Sequence, residues 1–147
     1  LKLGRVRFVT ICWLWRLEVT NCDLKMGRSE VMMYYHVWFV TKYRKKILEG
    51  KIRSFILESF LEICQRKNYN ILEIGLGCDH VHLLLEADGL FGVSSMMRVI
   101  KAVSSLKVRR SQRRLDCSSF WAKRYGCRAI MANDEIDIVR AYIRNHG

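Results

Sequence analysis

Asp79-His80-Val81-His82-Leu83-Leu84-Leu85-Glu86 is the stretch that decides the fold. Its apolar run reads as a buried strand. Residues i and i+2 of a strand point to one face, so His80 and His82 stand side by side. Neutral imidazole is the commonest side-chain metal ligand, and the pair forms two-thirds of a candidate metal site. A lone His-x-His on a strand is more often structural. Histidine-triad hydrolases also alternate histidines, but no third histidine stands in register here.

Working outward, Met32 to Val40 is aromatic and β-branched and reads as another buried strand. Lys42 to Lys46 is a basic turn. Ile52, Phe55, Ile56, Phe60 and Ile63 recur at spacings of three and four, which predicts an amphipathic helix over Lys51 to Arg66. Tyr69 to Gly75 alternates as a strand, and Gly75-Leu76-Gly77 turns into His80 to Glu86. Asp88-Gly89 marks a loop. Gly92 to about Arg110 is helical, with Val93, Met96, Met97, Ile100, Val103 and Leu106 on one side. A final strand is expected near Cys127 to Met131. Asn133 or Asp134 caps a last helix with acidic residues in its first turn, running to about Asn145.

The order β-α-β-β-α-β plus a terminal helix predicts an α+β, ferredoxin-like (RRM-like) split βαβ sandwich. Its first and third strands are central, so His80 and His82 lie on a central strand. Two helices cover one sheet face and leave the other for a site. On the terminal helix, Ile136, Val139, Arg140 and Ile143 share a stripe. Tyr142 and His146, four residues apart, share a face beside it. The bland interpretation of that pair is a half-buried tyrosine and a frayed histidine.

Length and composition bound the function. The 147 residues suit one domain, and a formal net charge of +12 with pI near 9.8 points to a polyanionic partner, most often nucleic acid. Cys12, Cys22, Cys64, Cys78, Cys117 and Cys127 show no CxxC pair, which favours buried free thiols in a reducing, cytoplasmic compartment. Phe8 to Leu17 is too short to span a bilayer, is interrupted by Arg16, and lacks a small-residue cleavage pattern. No membrane association is expected. Residues 1–30 form an N-terminal extension, possible upstream sequence ahead of a start at Met26, and residues 31–147 form the domain.

Five segments in order carry a resemblance: Tyr35-His36-Val37-Trp38 with Lys42-Tyr43-Arg44-Lys45-Lys46; Asp79 to Leu84; Phe91-Gly92-Val93 with Ile100-Lys101 and Ser104-Ser105; Phe120-Trp121 through Tyr125; and Val139-Arg140-Ala141-Tyr142-Ile143-Arg144-Asn145. Together they resemble the single-tyrosine HUH transposases of IS200-type insertion sequences (TnpA-like enzymes), to which the REP-associated tyrosine transposases are related. The resemblance implies a DNA transposase that cleaves and rejoins single-stranded DNA at element ends through a 5′-phosphotyrosine. It makes Tyr142 the nucleophile and His80 and His82 ligands of one divalent ion, Mg²⁺ or Mn²⁺. The third-ligand position, ordinarily glutamine, is His146. Mg²⁺ prefers oxygen donors, so this histidine favours Mn²⁺. DNA hairpins at element ends and a homodimer are the implied partners. Lys42, Arg44, Lys45, Lys46, Arg98, Lys101, Lys107, Arg109 and Arg110 are candidate phosphate contacts, with Tyr43 a stacking residue. Two other readings compete. A plain RRM-like binding module would need an aromatic RNP1 pattern, which His80 to Glu86 lacks. A metal-dependent phosphoesterase would use water and need no tyrosine.

Overall fold

A computed structural model describes residues 32–112 and 119–146. The N-terminal extension, Cys12, Cys22 and Cys117 lie outside the described residues. Four strands, β1 (Met32–Val40), β2 (Ile71–Leu76), β3 (His80–Asp88) and β4 (Gly126–Ile130), form one antiparallel sheet in the order β2-β3-β1-β4. This is the expected ferredoxin-like order, with β1 and β3 central. The helices are α1 (Gly50–Lys67), α2 (Gly89–Ser111) and α3 (Asn133–His146). Among the described residues no helix is long and apolar enough to cross a membrane.

Strand periodicity sorts the sheet into two faces. Tyr35, Val37 and Phe39 of β1 join Val81, Leu83, Leu85 and Ala87 of β3 in the main core. Against them pack Ile56, Phe60 and Ile63 of α1 and Val93, Met96, Met97, Ile100 and Val108 of α2. Trp121 closes one end: its ring meets Phe39 edge-on, with centroids 4.8 Å apart, and its indole N–H donates to Ser104 Oγ at 2.9 Å. α1 stops at Asn68, whose φ of 53° is left-handed and whose N–H bonds the Cys64 carbonyl.

The remaining strand positions face the other way. Leu84 and Ile130 meet Ile143 of α3 in a second, smaller core, joined by Tyr34, Leu72, Ile136 and Val139. So the face expected to lie open is roofed in part by α3. A register shift between Ile71 and Glu73 lets both Leu72 and Glu73 reach that helix. Glu73 accepts from Arg144 at 3.0 Å and lies 3.9 Å from Arg140.

Two sequence expectations shift. Asp88-Gly89 is not a loop: Asp88 ends β3 and Gly89, at φ 62°, begins α2 directly. A glycine takes that left-handed angle without the Cβ penalty. Cys78 and Cys127 are free thiols as expected, but half-buried rather than buried.

Candidate active site

The strand parity that sends Val81 and Leu83 into the core turns His80 and His82 toward α3. The same parity on β1 brings His36 and Trp38 to this face, with Trp38 opposite His82 in the ladder. His36, one step along, reaches His82 diagonally: His36 Nε2 lies 3.0 Å from His82 Nδ1. A third histidine thus stands beside His-x-His, supplied by the neighbouring strand rather than by the same one. The sequence signal was the even spacing of His36 and Trp38, readable once β1 and β3 were taken as adjacent.

α3 brings the rest. Ile143 is buried against the sheet, which turns its neighbour Tyr142 over the imidazoles. The Tyr142 ring meets His82 edge-on at 5.7 Å and His36 at 6.0 Å, and stacks on His146 at 4.2 Å with planes 21° apart. Tyr142 is 44% exposed. Three of the four histidines in the 147-residue chain meet the Tyr142 ring, and the fourth, His80, meets His82 edge-on at 5.2 Å.

Each imidazole has a defined outer partner. His80 Nδ1 lies 2.7 Å from Asp79 Oδ1. Asp79 is 7% exposed and also accepts from Arg44 Nε at 3.1 Å. A carboxylate only accepts, so His80 Nδ1 donates to Asp79, while its Nε2 contacts the His146 carbonyl at 3.3 Å, a contact that ligating an ion would break. The hydrogen bond from His80, aided by Arg44, holds the Asp79 carboxyl below the usual carboxylate range against the opposing effect of burial. Burial, then the neighbouring His36, His80 and His146, push His82 down to about 4. Burial and Arg128 lower His36 as well. His82 is therefore neutral near pH 7, the form that binds a metal. His146 Nδ1 donates to the Tyr142 carbonyl at 2.9 Å, leaving Nε2 as its free nitrogen.

This donor set has the chemistry of a metal site in part. His80 and His82 are adjacent imidazoles, and His80 carries the carboxylate backing typical of ligating histidines. Among the described residues no three His, Cys, Asp or Glu side chains form a group that could hold an ion as they stand. The histidine pair fits; closing the set requires His146 to turn toward it.

The expected DNA contacts divide. Lys45 and Lys46 are exposed, and Tyr43 is 79% exposed with Lys42 Nζ 5.1 Å from its ring centre. Tyr43 and Arg44 both have positive φ, 60° and 50°. That unusual backbone turns the Arg44 guanidinium back onto Asp79, so the basic turn adjoins the histidines. On α2, Arg98, Arg109 and Arg110 are exposed, but this helix covers the opposite sheet face. Lys107 is paired with Glu62 at 3.0 Å and Glu58 at 4.0 Å. Lys101 donates to the carbonyls of Ala122, Lys123 and Arg124 at 2.6, 3.1 and 3.5 Å. Both lysines are engaged within the fold. Residues missed from sequence are His36, Asp79 and Glu73.

The likeness of this chain to known proteins is one of family and of fold. The family model "Transposase IS200 like" matches residues 29–146. The transposase for insertion sequence element IS200 of Salmonella typhimurium is 39% identical over 72 residues, 49% of this chain and 47% of that protein. The ISDra2 transposase TnpA of Deinococcus radiodurans is 25% identical over 87 residues, 58% of this chain and 62% of that protein. The match thus spans about half the length of the Salmonella relative. Among solved structures, a protein from Deinococcus radiodurans superposes with a TM-score of 0.63 at 21% identity, covering 84% of this chain and 98% of that one. A REP-associated tyrosine transposase bound to a REP hairpin gives 0.59 at 14% identity, covering 84% and 70%. These two likenesses concern the fold.

Proposed function

The chain belongs to the IS200-like transposase family, and on that premise we propose that it cleaves and rejoins single-stranded DNA through a phosphotyrosine on Tyr142. The observation that carries this reading is the placement of Tyr142 over His82 and His36 of its own fold. A phenol oxygen there is exposed enough to meet a phosphodiester and flanked by neutral imidazole.

In the proposed reaction Tyr142 Oη attacks phosphorus as its proton passes to solvent or a neutral imidazole. The bond from phosphorus to the 3′ oxygen breaks, and that oxygen takes up a proton from solvent or the same imidazole and leaves as a free 3′-OH. The 5′ side stays esterified to Tyr142. Attack by another 3′-OH reverses the step and restores the phenol, so bond energy is conserved and no nucleotide triphosphate is needed. His80 and His82, with His146, would hold a divalent ion, and Mn²⁺ suits three imidazoles better than Mg²⁺. When bound, such an ion polarises the phosphate and offsets developing charge. The residues themselves orient: Asp79 and Arg44 fix the His80 ring, His36 fixes His82, and the Glu73 pairs with Arg140 and Arg144 seat α3. DNA hairpins at the element ends are the proposed substrates, a homodimer the proposed assembly, and Lys45, Lys46 and Tyr43 the contacts closest to the site edge.

The test incubates the protein with Mn²⁺ and hairpin oligonucleotides from the ends of its own element. A covalent protein–DNA adduct that Tyr142→Phe abolishes supports the reading. Cleavage that survives Tyr142→Phe assigns the attack to water, and binding without cleavage under any divalent metal reduces the protein to a binding module.

A further inference from the structure

Trp38 has no part in the reaction above. It is an aromatic in the middle of the sheet, opposite His82 on one side and Gly126 on the other. It belongs to neither apolar cluster and is 39% exposed. Its indole lies flat over Gly126: a Cβ at that position would fall 2.2 Å from Trp38 Cε2, closer than atoms tolerate. Only glycine lets the ring settle there. Its other flank meets His36, with centroids 5.2 Å apart, and His36 abuts both His82 and Tyr142.

The result is a flat apolar surface, open to solvent, one ring removed from the nucleophile. Large aromatics left this open gain from being covered. The charge around it is positive. Lys123 and Arg124, both exposed, lead into Gly126, and Arg128, which follows it on β4, is exposed but paired with Glu135 at 3.2 Å. An aromatic plane bordered by cations suits a base on a phosphate chain.

We propose that Trp38, seated on Gly126, is a stacking platform for the nucleobase beside the phosphate that Tyr142 attacks. This deepens the reading of the site as a single-strand transferase and rests on it. Stacking tolerates any base, so the platform positions the strand without dictating its sequence. Its role is to hold the scissile phosphate in line with Tyr142.

The experiment measures binding of a hairpin oligonucleotide with a single-stranded flank, moving one abasic site through every unpaired position. Binding is read in the Tyr142→Phe background, so turnover does not intervene. One abasic position is expected to weaken binding about tenfold, a typical loss for one stacked base. Trp38→Ala should weaken the intact oligonucleotide by the same factor and show no further loss at that position. Trp38→Phe should retain most of the affinity. Gly126→Ala, which lifts the indole, should reproduce Trp38→Ala with Trp38 still present. Effects of Trp38→Ala and the abasic site that multiply would overturn the proposal. So would a Trp38→Ala variant that binds normally, or one whose only change is in oligomeric state. Adduct formation by the unaltered protein tests the parent reading separately, so its failure is told apart from failure of the stacking measurement.

Discussion

Ile143→Ala isolates how Tyr142 is delivered. Ile143 is fully buried against Leu84 and Ile130, and it directly follows Tyr142 on the helix. That small cluster and the Glu73 pairs attach α3 to the sheet, and the main core lies on the other face. Burial-to-alanine changes at isoleucine cost about 2–5 kcal/mol. A peripheral helix settles partly into the void, so we expect the lower part of that range, about 2–3 kcal/mol. At 1.4 kcal/mol per factor of ten, the undocked helix becomes roughly 30- to 150-fold more populated. Hydrogen exchange should report this as an equal loss of protection at the amides of α3. Val93→Ala serves as the control, because Val93 is buried in the main core. It destabilises the docked and undocked forms alike, so it should leave local opening of α3 unchanged while lowering global stability. Adduct yield should fall in Ile143→Ala and hold in Val93→Ala. If both variants expose α3 equally, the helix does not open on its own and the account of its attachment is wrong.

Asp79→Asn removes the anionic acceptor behind His80 and should weaken Mn²⁺ binding by about 10- to 100-fold in a calorimetric titration; unchanged affinity would remove Asp79 from the site. Without metal, the fold should lose stability on acidification. His82 is depressed from 6.5 to about 4, so its contribution is present above about pH 6.5 and lost as pH falls through 4. His82→Gln should flatten that part of a denaturant-midpoint profile taken with chelator, and a profile of unaltered slope would contradict the shift. Lys45→Ala and Lys46→Ala should each lower the slope of log affinity against log salt by about 0.7 on single-stranded DNA. Lys101→Met, whose ammonium serves three backbone carbonyls, should lower thermal stability and leave that slope alone; a reduced slope would restore Lys101 as a phosphate contact.

Most of the fold was legible because strand and helix periods are local. Met32 to Val40 ends where composition says it should, and the stripe Ile136, Val139, Ile143 is the one that meets the sheet. The pairing of Tyr142 with His146 follows from helical spacing alone. What escaped is relational. His36 matters only through the β1–β3 register, which places it diagonal to His82. The duties of Lys101, Lys107 and Arg44 depend on partners 21 or more residues away, invisible to any window of sequence. Asp88-Gly89 has turn composition, yet the left-handed angle it permits starts a helix instead. Glu73 reads as one polar position in an alternating strand, and only the irregular register of β2 turns it toward α3.

The central claim is that one of the six tyrosines of this chain becomes esterified to DNA. Tandem mass spectrometry of the nuclease-trimmed adduct tests it most directly. The account predicts a 5′-phosphonucleotide on the peptide containing Tyr142 and on no other. A modification at Tyr43 or Tyr125, or cleaved DNA bearing a free 5′-phosphate with no modified peptide, would contradict it.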